Sequence, residues 1–136
     1  MAFTGPMEDR LAIRDLYGTY TDASSRGDRE SWLACFTEDG EWNTHLFKAS
    51  GREGLRRQWD ALWANFKAVS FMADIGMIEI TGDRARARAY TREVVLLADG
   101  KIYRLDGRYD DELVRVNGKW LFARRNHQPL VEELPK

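Results

Sequence analysis

The residues of this chain that could move a proton are few once the solvated charges are set aside. Asp111 stands two and six residues beyond Tyr109 and Leu105, in a run where alternate positions share one face with Tyr103. A carboxylate buried among such neighbours has its pKa raised, and serves as a base or as a neutral hydrogen-bond donor. The same group could instead hold Arg124, Arg125 or a helix end in place. Asp22, beside Tyr20, is a second acid, although Asp near a helix end commonly caps or is solvated. His45 can carry a proton near neutrality or sit at the surface, while His127, just before Pro129, reads as structural. Tyr103 or Tyr109 can donate a hydrogen bond to a developing enolate oxygen. Cys35, the one cysteine, lies between Trp32 and Phe36 and reads as a small buried hydrophobe. Two histidines with no Cys or acidic cluster at ligand spacing give no metal site. The chemistry in view is proton transfer without a cofactor.

Helices and strands must bring these groups together. From Met7 to Ser24, Ile13, Leu16, Tyr17, Tyr20 and Ala23 recur at helical spacing. Gly27 and Asp28 end that helix and cap a short second one through Trp32, Leu33 and Phe36, closed by a turn at 37–40. A brief strand over 41–47 leads to Ser50 and Glu53, which read as a capping box for a third helix burying Leu55, Trp59, Leu62, Trp63 and Phe66. The period then becomes two, predicting strands over 69–80, 84–97, 101–115 and 119–127, with turns at Gly82-Asp83, Asp99-Gly100 and Asn117-Gly118. The expected fold is α+β: a cone-shaped roll of three helices in a strongly curved antiparallel sheet. Residues 1–6 and 129–136 read as loosely held ends.

Side-chain alternation assigns the faces. Arg84, Arg86, Arg88 and Arg92 share one side of their strand, opposite Asp106, Asp110 and Glu112 on the next. That outer face is either a solvated, ion-paired surface or the interface of a homodimer. Tyr17, Tyr20, Trp59, Trp63, Tyr103, Leu105 and Tyr109 are the expected wall of an apolar pocket for a small aromatic ligand. The 136 residues suit a single domain, and 21 basic against 22 acidic side chains leave a net charge of −1, with no field to hold nucleic acid. No run approaches the length of a membrane span and no apolar leader opens the chain, so a soluble cytoplasmic protein is expected.

The segments Ala12-Ile-Arg-Asp-Leu-Tyr17, Tyr20-Thr-Asp22, Arg26-Gly-Asp28, Trp32, Phe36 to Gly40, Gly51-Arg-Glu53, Gly82-Asp-Arg-Ala85 and the closing hairpin together resemble a SnoaL-like domain of the nuclear-transport-factor-2-like superfamily. The resemblance implies a cone open at one end to an apolar cavity, and it groups the chain with scytalone dehydratase, hexachlorocyclohexane dehydrochlorinase, polyketide cyclases, steroid isomerase and the small subunits of ring-hydroxylating dioxygenases. In the first two, a carboxylate near the end of the first helix works with a histidine on the strand after the third. Ser25 holds the first position here and no histidine occurs over 69–75, so Asp22 and Asp74 are the nearest substitutes, and Asp111 matches a pocket acid of the dehydrochlorinase. Three readings follow: a cofactor-free lyase, isomerase or cyclase acting on a cyclic carbonyl compound, a non-catalytic ligand-binding protein, and the small subunit of a larger assembly.

Overall fold

A computed structural model describes residues 2–136. Three helices, α1 (Met7–Arg26), α2 (Arg29–Leu33) and α3 (Gly51–Trp63), pack into the hollow of one curled, unclosed sheet of seven strands: β1 (Phe3–Thr4), β2 (Phe36–Asn43), β3 (Lys48–Ser50), β4 (Phe66–Thr81), β5 (Arg84–Leu97), β6 (Ile102–Val116) and β7 (Lys119–Glu133). The sheet order is β1-β4-β5-β6-β7-β2-β3. This is the expected α+β cone. Long hairpins dominate it because the sequence alternates over long stretches from Phe66 onward and supplies a tight turn at each reversal. At the last turn Asn117 (φ 51°) and Gly118 (φ 78°) both take the left-handed conformation that a type I′ hairpin needs.

The outer arginines lie opposite their expected partners, Arg86 facing Glu112, Arg88 facing Asp110 and Arg92 facing Asp106. Arg88 and Arg92 pair with those acids at 3.4 and 3.6 Å, whereas Arg86 turns to Glu79 at 2.8 Å. Ala85, Ala87 and Ala89 are buried on the inner face.

Several local expectations are corrected. Phe36 opens β2 instead of closing α2, because it pairs in parallel with Phe122 of β7, and residues 37–40 continue the strand. The strand expected over 41–47 ends at Asn43, and Thr44 to Phe47 form a turn whose backbone donors at Leu46 and Phe47 bond the Thr44 hydroxyl. Ser50 makes no side-chain cap, and Glu53 pairs with Arg56 instead, so the capping box is absent. Phe66 starts β4. Much of the expected loose ends is held: Phe3 pairs with Ile78, and β7 runs to Glu133, opposite Arg104, while Met1 lies outside the described residues.

One irregularity positions the site. Along the hairpin of β6 and β7, Leu113 faces Phe122, but Glu112 faces Arg124, so Ala123 is an extra residue in β7. Such a bulge shifts every later side chain to the other face. Trp120 and Phe122 point inward before it; Arg125 and His127 point inward after it. A regular strand would have turned Arg124 and Asn126 into the core.

Candidate functional site

Inside the cone, between α1, α3, the turn after β2 and the inner faces of β4 to β7, lies a cavity of about 100 Å3. Its wall is largely aromatic. Trp32 packs against Trp59 at 4.7 Å and Trp42 at 5.0 Å between ring centroids, and Trp59 stacks on Trp63 at 5.4 Å. Of the expected wall, Tyr20, Trp59, Trp63, Tyr103, Leu105 and Tyr109 line it, and His45 stands on it as well. Leu46, two-thirds exposed, marks the open side.

Polar groups reach this cavity from four places. Glu93 enters from β5, on the face shared with Thr91 and Val95, and makes no hydrogen bond or ion pair among the described residues. With no compensating charge, burial alone pushes its carboxyl up to about 7. His127 enters from β7: its Nε2 lies 3.4 Å from Thr91 Oγ1 and its ring stands edge-on to Tyr109 at 4.7 Å. Its Nδ1 is buried without a partner. Burial and the nearby Arg125 cation bring His127 down to about 4, so the ring is neutral at physiological pH. Gly107 makes room for this ring, because a Cβ there would collide with it and lie 2.9 Å from the Gln128 carbonyl. At the mouth, His45 Nε2 meets Glu132 Oε2 at 3.1 Å, and the Tyr103 hydroxyl donates to the same oxygen. That donor holds Glu132 below the usual carboxylate range, with His45 adding to the effect. Deepest, Trp42 Nε1 donates to Tyr109 Oη at 2.8 Å.

Other expected residues stand elsewhere. Asp111 is buried on the inner face, but behind the cavity wall, where Arg125 Nε and Nη2 donate to its two oxygens at 2.8 and 2.9 Å and the Tyr17 hydroxyl donates as well. Accepting three hydrogen bonds and absent from the cavity lining, this carboxylate is an anchor. The base expected at Asp111 is therefore replaced by the alternative of an Arg125 partner, and Tyr17 belongs to that cluster instead of the wall. Asp22 is exposed and pairs with Arg26 at 3.0 Å. With the exposed Asp74 it borders a shallow groove between α1 and β4, on the far side from the cavity. Cys35 is buried and its thiol is pushed up to about 12, in keeping with a hydrophobe. No three His, Cys, Asp or Glu side chains converge at metal-binding distance among the described residues.

Glu93 and His127 are the groups that sequence reasoning missed or set aside. Glu93 had a signal, an acid in the inward register two residues before Val95 and two after Thr91. His127 had none, because its facing depends on the bulge at Ala123.

A family model described as a SnoaL-like domain matches residues 6–126. The chain belongs to the SnoaL-like domain family. Solved structures similar to it include a proposed aromatic ring hydroxylase from Novosphingobium aromaticivorans, 28% identical, covering 98% of this chain and 96% of that one with a TM-score of 0.91. A proposed scytalone dehydratase from the same organism is 23% identical over 93% of this chain and 87% of that one, TM-score 0.86. A hexachlorocyclohexane dehydrochlorinase from Novosphingobium barchaimii is 18% identical over 96% and 91%, TM-score 0.84. No protein of curated function matches the chain. Within this SnoaL-like cone, Ser25 spends its hydroxyl on the backbone of β4, accepting from Phe71 N at 3.1 Å and reaching Phe71 O at 3.2 Å. The helix position to which the resemblance assigned a carboxylate is thus a clamp between α1 and the sheet.

Proposed function

We propose that this SnoaL-like protein is a cofactor-free lyase or isomerase that moves a proton on an uncharged, single-ring carbonyl compound, with Glu93 as the acid/base. The observation that carries this reading is the unpaired Glu93 carboxyl facing an aromatic cavity and titrating near 7. A base poised at the working pH gives the best product of ionised fraction and driving force. Structural acids are normally partnered, as Asp111 is; an unpartnered one costs stability that a ligand-free scaffold has no reason to bear. The cavity is smaller than the roughly 300–1,000 Å3 of drug-sized sites, which favours one ring. At neutral pH His127 is uncharged and Glu93 half-protonated, which favours a neutral ligand.

In the reaction Glu93 takes a proton from the carbon beside the carbonyl while the carbonyl oxygen takes up the negative charge. Return of that proton to a different carbon completes an isomerisation. Its delivery to a departing hydroxyl completes a dehydration, releasing water. His127, neutral and on the same wall, is placed to orient the ring through Nε2 or to share the hydroxyl's proton.

Exchange of the α-protons of a small cyclic enone with solvent deuterium, followed by NMR, tests the proposal. The wild-type protein should accelerate exchange with a rate rising through pH 7, and Glu93→Gln should abolish the acceleration. Acceleration that survives Glu93→Gln would sink it. A second reading, a ligand-binding protein without catalysis, is favoured by the structural use of Ser25; in that case ring compounds bind and no exchange occurs. The expected homodimer belongs to the same proposal, supported by the rows of opposite charge on the outer faces of β5 and β6.

A further inference from the structure

The charges around the cavity leave one of them unanswered. Behind the wall Asp111 cancels Arg125, accepting from its Nε and Nη2 at 2.8 and 2.9 Å. At the mouth His45 and Glu132 face each other at 3.1 Å. His127 is neutral at physiological pH, since burial and the Arg125 cation bring it down to about 4. Tyr20 from α1 and Tyr103 and Tyr109 from β6, the phenols that feel the charge of Glu93, are pushed up by burial and stay neutral as well. Among the described residues no Lys or Arg lines the cavity, and Glu93 is the one carboxyl on its wall. Burial alone sets its state, with no ion pair or hydrogen bond to offset it. The missing counter-charge is a single positive one.

The rest of the wall suits a cation too. Trp32, Trp42, Trp59 and Trp63 all line the cavity. Their planes are turned against one another, by 65° between Trp32 and Trp42 and by 38° between Trp32 and Trp59, so the four do not stack into one layer. The face of an indole is the negative end of its quadrupole and attracts a cation within about 6 Å of the ring, more strongly where water is excluded. An ammonium ion on a carbon ring needs two things of a site: aromatic faces for its spread charge and an acceptor for its N–H. This cavity offers both.

We propose that the cavity also binds a single-ring organic ammonium ion, with Glu93 as its counter-charge and the tryptophans as its cage. This goes beyond the reading of the cavity as an active site, because it needs no turnover and shares with that reading only the buried place of Glu93. A neutral ring can enter beside either form of the carboxyl. An ammonium ion selects the ionised form, returns it toward the ordinary carboxylate range and holds it there. The cation thereby occupies the base and competes with the carbonyl compound.

The test compares benzylammonium with benzyl alcohol, which has nearly the same shape and no charge, by calorimetric titration at pH 8 and pH 5.5. At pH 8 the wild type should bind the cation about 10- to 100-fold more tightly than the alcohol, the range for a hydrogen bond to a charged group. By pH 5.5 the cation should lose about 30-fold as Glu93 takes up its proton, and the alcohol should change little. Glu93→Gln keeps the same His45 and Glu132 and should bind both probes alike at both pH values, so any effect of the mouth charges is read separately. Trp63→Leu should weaken the cation about 3- to 10-fold more than the alcohol. Tight, Glu93-dependent binding of the cation without any proton exchange on a cyclic enone would sustain the cage and sink the catalytic reading. Glu93-dependent exchange with no preference for the cation would do the reverse. Equal affinity for the two probes at pH 8, a preference that survives Glu93→Gln, or no binding of benzylammonium by the wild type would each overturn the proposal.

Discussion

Replacing Glu93 by Gln should make the protein more stable, and by an amount that grows with pH. In the folded chain the carboxyl titrates near 7, against an ordinary 4.5. Between those values the native state holds a proton that the unfolded state has released, so stability falls as pH rises from 4.5 through 7. At about 1.4 kcal/mol per pH unit, the full penalty above pH 7 is about 3 kcal/mol. Gln keeps the shape and carries no such penalty. Urea unfolding of both proteins at pH 4.5, 6, 7 and 8 measures the difference, in which every other titrating group cancels. The variant should match or fall slightly below the wild type at pH 4.5 and exceed it by about 3 kcal/mol at pH 8, or roughly 10 °C in Tm for a chain of this size. A difference that stays constant within about 0.5 kcal/mol from pH 4.5 to 8 would refute the reasoning, because it would mean that water or an unseen partner stabilises the ionised form.

His127 should give the opposite slope. Its folded pKa of about 4 lies below the usual 6.5, so the unfolded chain binds the extra proton and stability is lost as pH falls from 6.5 toward 4. His127→Asn should flatten that part of the profile by roughly 2 kcal/mol, discounted because the ring is partly open to the cavity. In the wild type the two slopes nearly cancel between pH 4.5 and 6.5. Gly107→Ala should cost about 1–3 kcal/mol in chemical denaturation and move the His127 ring resonances, since the new methyl competes with the ring for space. Asp111→Asn should cost about 3–5 kcal/mol by leaving Arg125 buried without its counter-charge, and the double variant with Arg125→Met should recover part of that loss. A recovery of nothing would show that the pair is held by more than its own charges.

The parts of the fold that follow from period and turn chemistry were readable: α1, the limits of β5, the Asn117-Gly118 hairpin, and the row of Arg88 and Arg92 against Asp110 and Asp106. Elements formed by distant pairing were not. β1, the start of β2 and the end of β7 exist because Phe3, Phe36 and Glu133 meet partners dozens of residues away or across a long hairpin, and nothing local announces those partners. The aromatic wall was legible for the same reason as the core, since both need large apolar side chains on inward faces. The acid was harder. Asp111 sits inward among tyrosines as read, yet its role turns on Arg125, and Arg125 faces inward only because Ala123 bulges. Glu93 follows Arg92 on a strand crowded with charges and passes for half of a solvated pair until its register is carried on from Ala89 through Thr91. Asp22 and Asp74 came from positions in a family pattern, and both are exposed: Asp22 lies off the buried face of α1 that carries Tyr20, Ala23 and Ser24, and Asp74 lies on an exposed position of β4.

The most direct test of the account is a carbon-13 NMR titration of the Glu93 side-chain carboxyl, assigned by its loss in Glu93→Gln. A midpoint near pH 7 that moves when a ring compound enters the cavity is the predicted result. A midpoint near 4.5, unchanged by any such ligand, would place Glu93 in water and contradict its role as the base of this site.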